Sequence, residues 1–116
     1  MYDVVALGEL LIDFTTQSTD ADGYPTMAAH PGGAPANFLA AIAKFGGKAA
    51  LLGKVGTDTF GKLLTDTLRK AGIETKGLVA SDEVFTTLAF VTLDENGDRE
   101  FAFARKPGAD TQLRFD

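Results

Sequence analysis

Val4-Val5-Ala6-Leu7-Gly8-Glu9-Leu10-Leu11-Ile12-Asp13 opens on four consecutive apolar residues closed by a glycine. That is the pattern of a short strand buried on both faces. Leu10 to Thr16 continues extended, and the pair Thr15-Thr16 favours strand. Ser18 to Tyr24 is polar and turn-rich, and Tyr24 to His30 reads as a further short strand. The second decisive stretch, Pro31-Gly32-Gly33-Ala34-Pro35-Ala36-Asn37, first breaks the chain and then starts a helix. Pro35 suits the first helical position, where a missing N–H costs nothing. Phe38, Ala41, Ile42 and Phe45 recur at helical spacing and predict an apolar stripe on a helix over Pro35–Phe45. Gly46-Gly47 can end that helix in the left-handed region.

Working outward, Ala49 to Val55 reads as a strand. Thr57 or Asp58 can cap a helix over Asp58–Ala71, with Phe60, Leu63, Leu64 and Leu68 as its stripe and Gly72 as its end. Thr75 to Val79 is a weak strand. Phe85–Leu93 and Arg99–Arg105 form a hairpin around the turn residues Asp94-Glu95-Asn96-Gly97-Asp98. On its second arm Phe101, Phe103 and Arg105 share a face. Strands separated by helices predict an α/β fold with a mainly parallel sheet. The extended segments without helices, about 12–30 and 85–105, predict a small β appendage.

Composition limits the function. The 116 residues suffice for one modest domain. Hydrophobic residues make up 45% and charged residues 23% of a chain with net charge −5. That balance argues against nucleic-acid binding, which needs a basic patch. No Lys/Arg cluster suggests a membrane surface, and no apolar run reaches the ~20 residues of a membrane span. Without cysteine there are no disulfides, thiolate ligands or Cys nucleophile. The single His30 is assigned no role. The N-terminus lacks the basic region of a signal peptide, so a cytoplasmic protein is the simplest expectation.

Asp13 follows the first buried strand, and ligands of parallel sheets gather beyond the carboxyl ends of strands. A carboxylate there can accept hydrogen bonds from adjacent sugar hydroxyls. Gly32 and Gly33 let a ligand approach the backbone, and Asn37 in the first helical turn offers both a donor and an acceptor. The residues alone leave a second reading open, in which the glycines are only a turn and Asn37 a surface residue. Gly56-Thr57-Asp58-Thr59-Phe60-Gly61-Lys62-Leu63 nearly spells a P-loop. It fails at Leu63, where a hydroxyl should hold Mg²⁺, and at Asp58, whose charge would repel phosphates. No glycine fingerprint for a dinucleotide follows the first strand.

The glycine–proline–asparagine segment 32–37, with Gly46 and Gly56 behind it, resembles the first signature of the PfkB (ribokinase-like) carbohydrate kinases. One position departs: Leu39 stands where a small residue is usual. Gly8 to Asp13 is similar to the family's opening strand and its sugar-binding Asp. Gly56 to Gly61, Thr86 to Val91 and Phe103-Ala104-Arg105-Lys106-Pro107-Gly108-Ala109-Asp110 resemble further family segments. The likeness runs from Val4 to Asp110. It implies a ribokinase-like partial domain in which a monosaccharide, fructose being favoured, lies between the α/β core and a β lid. It implies Asp13, Gly32, Gly33, Asn37, Phe103 and Arg105 as substrate-binding residues, and a possible homodimer through the lid strands. It also implies ATP and Mg²⁺ as cofactors of a longer parent, with the catalytic base in a Gly-rich segment that is not among these residues. Family members are roughly three times this length. The chain is thus expected to be an N-terminal portion that binds no nucleotide and phosphorylates nothing by itself. The alternatives are a non-catalytic sugar-binding or interaction module, and a nucleoside or 2-keto-3-deoxygluconate kinase of the same superfamily.

Overall fold

A computed structural model describes residues 1–114. Its central strand is β4 (Ala49–Gly56), whose apolar run Ala49-Ala50-Leu51-Leu52 suits a position covered on both faces. Parallel neighbours flank it: β1 (Val4–Leu7) on one side, β5 (Ile73–Glu74) and then β6 (Leu78–Ser81) on the other. Two helices, α1 (Ala34–Lys44) and α2 (Thr59–Lys70), make the connections and pack on this sheet. A second sheet has the order β3-β2-β7-β8, from β2 (Leu11–Thr19), β3 (Pro25–Gly32), β7 (Leu88–Leu93) and β8 (Arg99–Ala104). Its outer pairs are antiparallel hairpins, and β2 and β7 join them in parallel. The predicted α/β architecture with a β appendage is therefore present.

The chain passes from one sheet to the other at Leu10–Ile12, all three residues buried. Leu10 and Ile12 join Leu39, Leu51, Val55, Leu64 and Leu68 in a single core. Phe14 continues it on the inner face of the second sheet, stacked on Phe90 at 5.2 Å and edge-on to Phe60 at 5.4 Å. Such aromatic pairs add about 0.5–1.5 kcal/mol each beyond the area they bury.

Several sequence expectations need correction. Helix α1 starts one residue early, so Pro35 is its second residue. Its buried face is set by Ala36 and Leu39, with Ala40, Ile42 and Ala43 packed against the core. Of the predicted stripe only Ile42 belongs; Phe38 and Phe45 are 55% and 88% exposed. Small residues let this helix lie close to the sheet, where phenyl rings would hold it away. Leu39 supplies the one bulky plug, which accounts for its departure from the usual small residue. On α2, Leu64 and Leu68 are buried, but Leu63 faces outward. Strand β3 runs through Pro31, which pairs with Ile12 instead of breaking the strand. Pro31 is tolerated because β3 lies at the edge of its sheet. Phe85 lies outside β7 in an isolated bridge with Gly108, and the weak strand expected at 75–79 lies at Leu78–Ser81. Among the described residues no helix is long and apolar enough to cross a membrane.

This packing distinguishes two faces of α1 in a way that urea unfolding can read. Leu39→Ala should cost about 2–5 kcal/mol, as for a fully buried leucine. Phe45→Ser should stay within about 0.5 kcal/mol. The reverse ranking would restore the stripe read from the sequence.

Candidate functional site

Asp13 lies in the middle of a row that crosses the second sheet. Pairing places His30 of β3 and Ala89 of β7 directly opposite it, and Phe103 of β8 opposite Ala89. Cross-strand partners share a face, so His30, Asp13, Ala89 and Phe103 all lie on the face opposite the Phe14–Phe90 stack. The next row holds Ala28, Thr15, Val91 and Phe101. Asp13, Thr15, Thr16, Val91, Leu93, Arg99 and Phe101 line a concavity of about 320 Å³ on this sheet. It combines hydroxyls, a carboxylate and a cation with apolar walls, a lining suited to a small polyol.

Both glycines of the predicted pair lie in close contacts, Gly32 against side chains and Gly33 against backbone. A Cβ on Gly32 would lie 2.2 Å from Asp13 Oδ2. Gly33 adopts φ +113° and caps α1, and a Cβ there would lie 2.3 Å from the Glu9 carbonyl oxygen. The glycines thus let the start of α1 close against Asp13 and the β1–β2 bend. Asn37 sits in the first turn of α1, its backbone N–H donating to the Gly33 carbonyl at 3.1 Å. It is exposed and borders a different, narrow gap between α1 and α2 that also touches Gly32. Asp13 and Asn37 therefore flank Gly32 from two sides and do not line one concavity.

Arg105 occupies the end of the β8 segment. Its Nη2 lies 3.0 Å from both Glu9 Oε2 and Asp110 Oδ2. Its guanidinium carbon sits 5.0 Å from the centre of the Phe103 ring, a cation–π arrangement. Phe103 in turn stacks with Phe101. Asp110 is almost wholly buried and also accepts a short hydrogen bond from Thr87 Oγ1. Glu9, Thr87 and Asp110 were not singled out from the sequence. The signal for Glu9 and Asp110 was present, since each lies within two residues of a glycine in a connecting segment.

Burial raises the pKa of Asp13, the nearby Glu9 charge raises it further, and His30 works against both. A carboxylate with a raised folded pKa is bound by its proton more tightly when folded. Its ionisation therefore weakens the fold as pH rises from the ordinary carboxylate value through the folded one. Carboxylates disfavoured by burial and a neighbouring charge cluster at functional sites, though structural networks produce them too.

The P-loop-like stretch does not fit a nucleotide. Asp58 caps α2 by accepting from the Gly61 N–H at 2.8 Å, and the Gly56 N–H donates to Thr86 Oγ1 at 3.0 Å. Gly61 packs so closely on Gly56 that a Cβ would lie 1.9 Å from the Gly56 carbonyl oxygen. Two of the loop's N–H groups are thus satisfied internally, and a carboxylate fills the place a phosphate would take. Among the described residues no group of three acidic or imidazole side chains could hold a metal ion.

Residues 1–115 match the family described as pfkB family carbohydrate kinase. The chain is 45% identical over 115 residues to a probable fructokinase-3 of Arabidopsis thaliana, covering 97% of this chain and 33% of that protein. It is equally 45% identical to a fructokinase-2 of Oryza sativa subsp. japonica, again covering 33% of the relative. A crystal structure of fructokinase from Xylella fastidiosa superposes with a TM-score of 0.90 at 40% identity, over 96% of this chain and 34% of that one. A structure of fructokinase from the same organism with bound ATP gives 0.87. The chain spans about a third of the length of the curated relatives it matches.

The raised Asp13 ionisation gives a stability test. Asp13→Asn should raise the melting temperature at neutral pH, and the gain should vanish as pH falls below the ordinary carboxylate range. A melting temperature that drops at pH 7 would show that the carboxylate supports the fold instead.

Proposed function

We propose that this chain, which belongs to the pfkB family of carbohydrate kinases, is the sugar-gripping part of an ATP-dependent fructokinase. The observation that carries the reading is Asp13, held against Gly32 beside a concavity lined by hydroxyls and apolar side chains. The Asp13 carboxylate accepts hydrogen bonds from neighbouring hydroxyls of the sugar. The Gly32-Gly33 backbone allows close approach, and Asn37 lies at its far side. Phe103 offers an apolar surface for the sugar's C–H groups, and Arg105 supplies donors from the end of the β8 arm. The second sheet serves as a lid, formed by the segments at about 12–30 and 85–105. Fructose is favoured over 2-keto-3-deoxygluconate or a nucleoside because the matched relatives named above are fructokinases.

ATP and Mg²⁺ supply the phosphoryl group and the charge neutralisation that its transfer needs. The internally satisfied Gly56–Gly61 loop argues against a nucleotide site there, so no transfer step is assigned to this chain. A second reading, a sugar-binding or interaction module without turnover, is favoured by the same self-satisfied loop at Gly56–Gly61.

Joining this chain to the C-terminal two thirds of a fructokinase separates the two. The chimera should release ADP in a fructose-dependent way, while the 116-residue chain alone gives none above a no-protein control. Asp13→Ala in the chimera should raise KM for fructose by about 10²-fold or more, the loss expected when a charged hydrogen-bonding partner is removed. Equal KM in that variant would remove Asp13 from the site, and turnover of adenosine or 2-keto-3-deoxygluconate in preference to fructose would reassign the substrate.

We further propose that lid sheets pair between chains. β8 is an edge strand, and Leu93, Phe101 and Phe103 are more than half exposed on the same side of the hairpin. Open edges beside apolar faces invite another strand. Sedimentation should show a concentration-dependent dimer that Phe101→Lys dissolves; a strict monomer at high concentration would end this proposal.

A further inference from the structure

Glu9 stands in the bend between β1 and β2, its backbone pressed against Gly33. Its side chain reaches across that end of the second sheet and meets Arg105 Nη2 at 3.0 Å. The same nitrogen meets Asp110 Oδ2, also at 3.0 Å. The two carboxylates are not equivalent. Asp110 is only 2% exposed, so its charge requires a close cation, and Arg105 is that cation. Glu9 is 48% exposed and would be hydrated without Arg105. Half-exposed ion pairs add little to stability. The fold therefore has small need of the Glu9 contact, yet the contact decides where the guanidinium lies. Asp110 and Glu9 both hold the Arg105 Nη2, while the guanidinium lies on Phe103. Its Nε–H is buried without an acceptor. Native structures seldom leave such a donor unused, and an acceptor supplied from outside would satisfy it.

We propose that Glu9 is a positioning residue of the sugar site: it holds Arg105 beside Phe103 and the bend between β1 and β2, so that the guanidinium meets the ligand without reordering. The inference rests on the sugar-binding reading above. Without Glu9, the arginine remains paired to Asp110 but swings about that single contact. The sugar must then order the side chain on binding, and affinity falls. Glu9 also couples the two halves of the site, because its charge is shared between attraction to Arg105 and repulsion of Asp13.

Two measurements on the full chain keep this proposal separate from the sugar-binding reading. The first needs no sugar: the ¹⁵N–¹H resonance of the Arg105 Nε–H. It should be a single sharp peak in the wild type, shifted and broadened in Glu9→Gln, and largely restored in Glu9→Asp. The second is fructose affinity by titration. Glu9→Gln should weaken binding roughly tenfold, within the range of coupling for residues in one network, at a nearly unchanged melting temperature. Glu9→Asp should recover part of the loss. An unaltered Arg105 resonance in Glu9→Gln, or wild-type fructose affinity in that variant, overturns the proposal. So does a melting temperature that falls in step with affinity, which would make Glu9 structural. If the wild type binds no fructose, the sugar reading fails, and the Arg105 resonance alone decides whether Glu9 positions that side chain.

Discussion

One carboxylate ties the molecule together. Asp58 accepts from the Gly61 N–H at 2.8 Å, from the Thr86 N–H at 2.9 Å and from Thr86 Oγ1 at 3.0 Å. The first bond caps α2, and the other two hold the run of chain that enters β7. Thr86 Oγ1 accepts in turn from Gly56 N at the end of β4. The parallel sheet, its second helix and the second sheet therefore meet at a single side chain. Burial pushes the Asp58 pKa up, but the hydrogen bonds from Thr86 and Gly61 together outweigh it and hold the carboxyl below its ordinary value. Its contribution is complete above the unfolded pKa and is lost as pH falls through the folded one. Losing a cap costs about 1 kcal/mol, and a stranded buried donor about 1–3 more.

That junction fixes where the site forms. Thr87, next to Thr86, is fully buried. Its carbonyl accepts from Ile12 N at 3.1 Å, and its hydroxyl donates to Asp110. Ile12 is the neighbour of Asp13, and Asp110 is the partner of Arg105. Arg105 and Asp13 are thus both referenced to the same buried threonine pair. Gly108 completes the arrangement, because a Cβ there would lie 1.9 Å from Thr87 Oγ1. The close packing of small residues at this seam is what brings β2, β7 and the end of β8 together.

The sequence disclosed the fold more fully than the site, for physical reasons. Strand and helix periods are local, so Val4–Leu7, Ala49–Gly56 and the Leu93–Arg99 turn were legible from spacing. Asp58 as a cap was legible because the capping rule is local too. The inward face of α1 was not. Phe38 and Phe45 carry the stronger apolar signal, but the distance between helix and sheet favours Ala36, Ala40 and Ala43, and that distance is a property of the assembled core. Asp13 and Gly32 were legible as a pair through their place at a strand end and a turn. The link from Glu9 to Arg105 spans nearly the whole chain, and no local pattern encodes it. Asn37 was read correctly as a first-turn residue, while its position across Gly32 from Asp13 depends on how α1 docks.

Charge arranges what the site can accept. Three carboxylates, Glu9, Asp13 and Asp110, stand against two arginines: Arg105 pairs with Glu9 and Asp110, and Arg99 lines the concavity with Asp13. The surplus is negative, which suits an uncharged polyol that donates hydroxyl hydrogens and opposes a ligand carrying its own anion. The most direct test of this account is backbone amide NMR of the chain titrated with fructose. The account requires shifts that concentrate at Asp13, Gly32, Gly33 and Phe103–Arg105, saturate with one affinity, and disappear in Asp13→Ala. Shifts confined to the opposite end of the parallel sheet, near Lys48 and Arg69, or no saturable shifts at all, would contradict it.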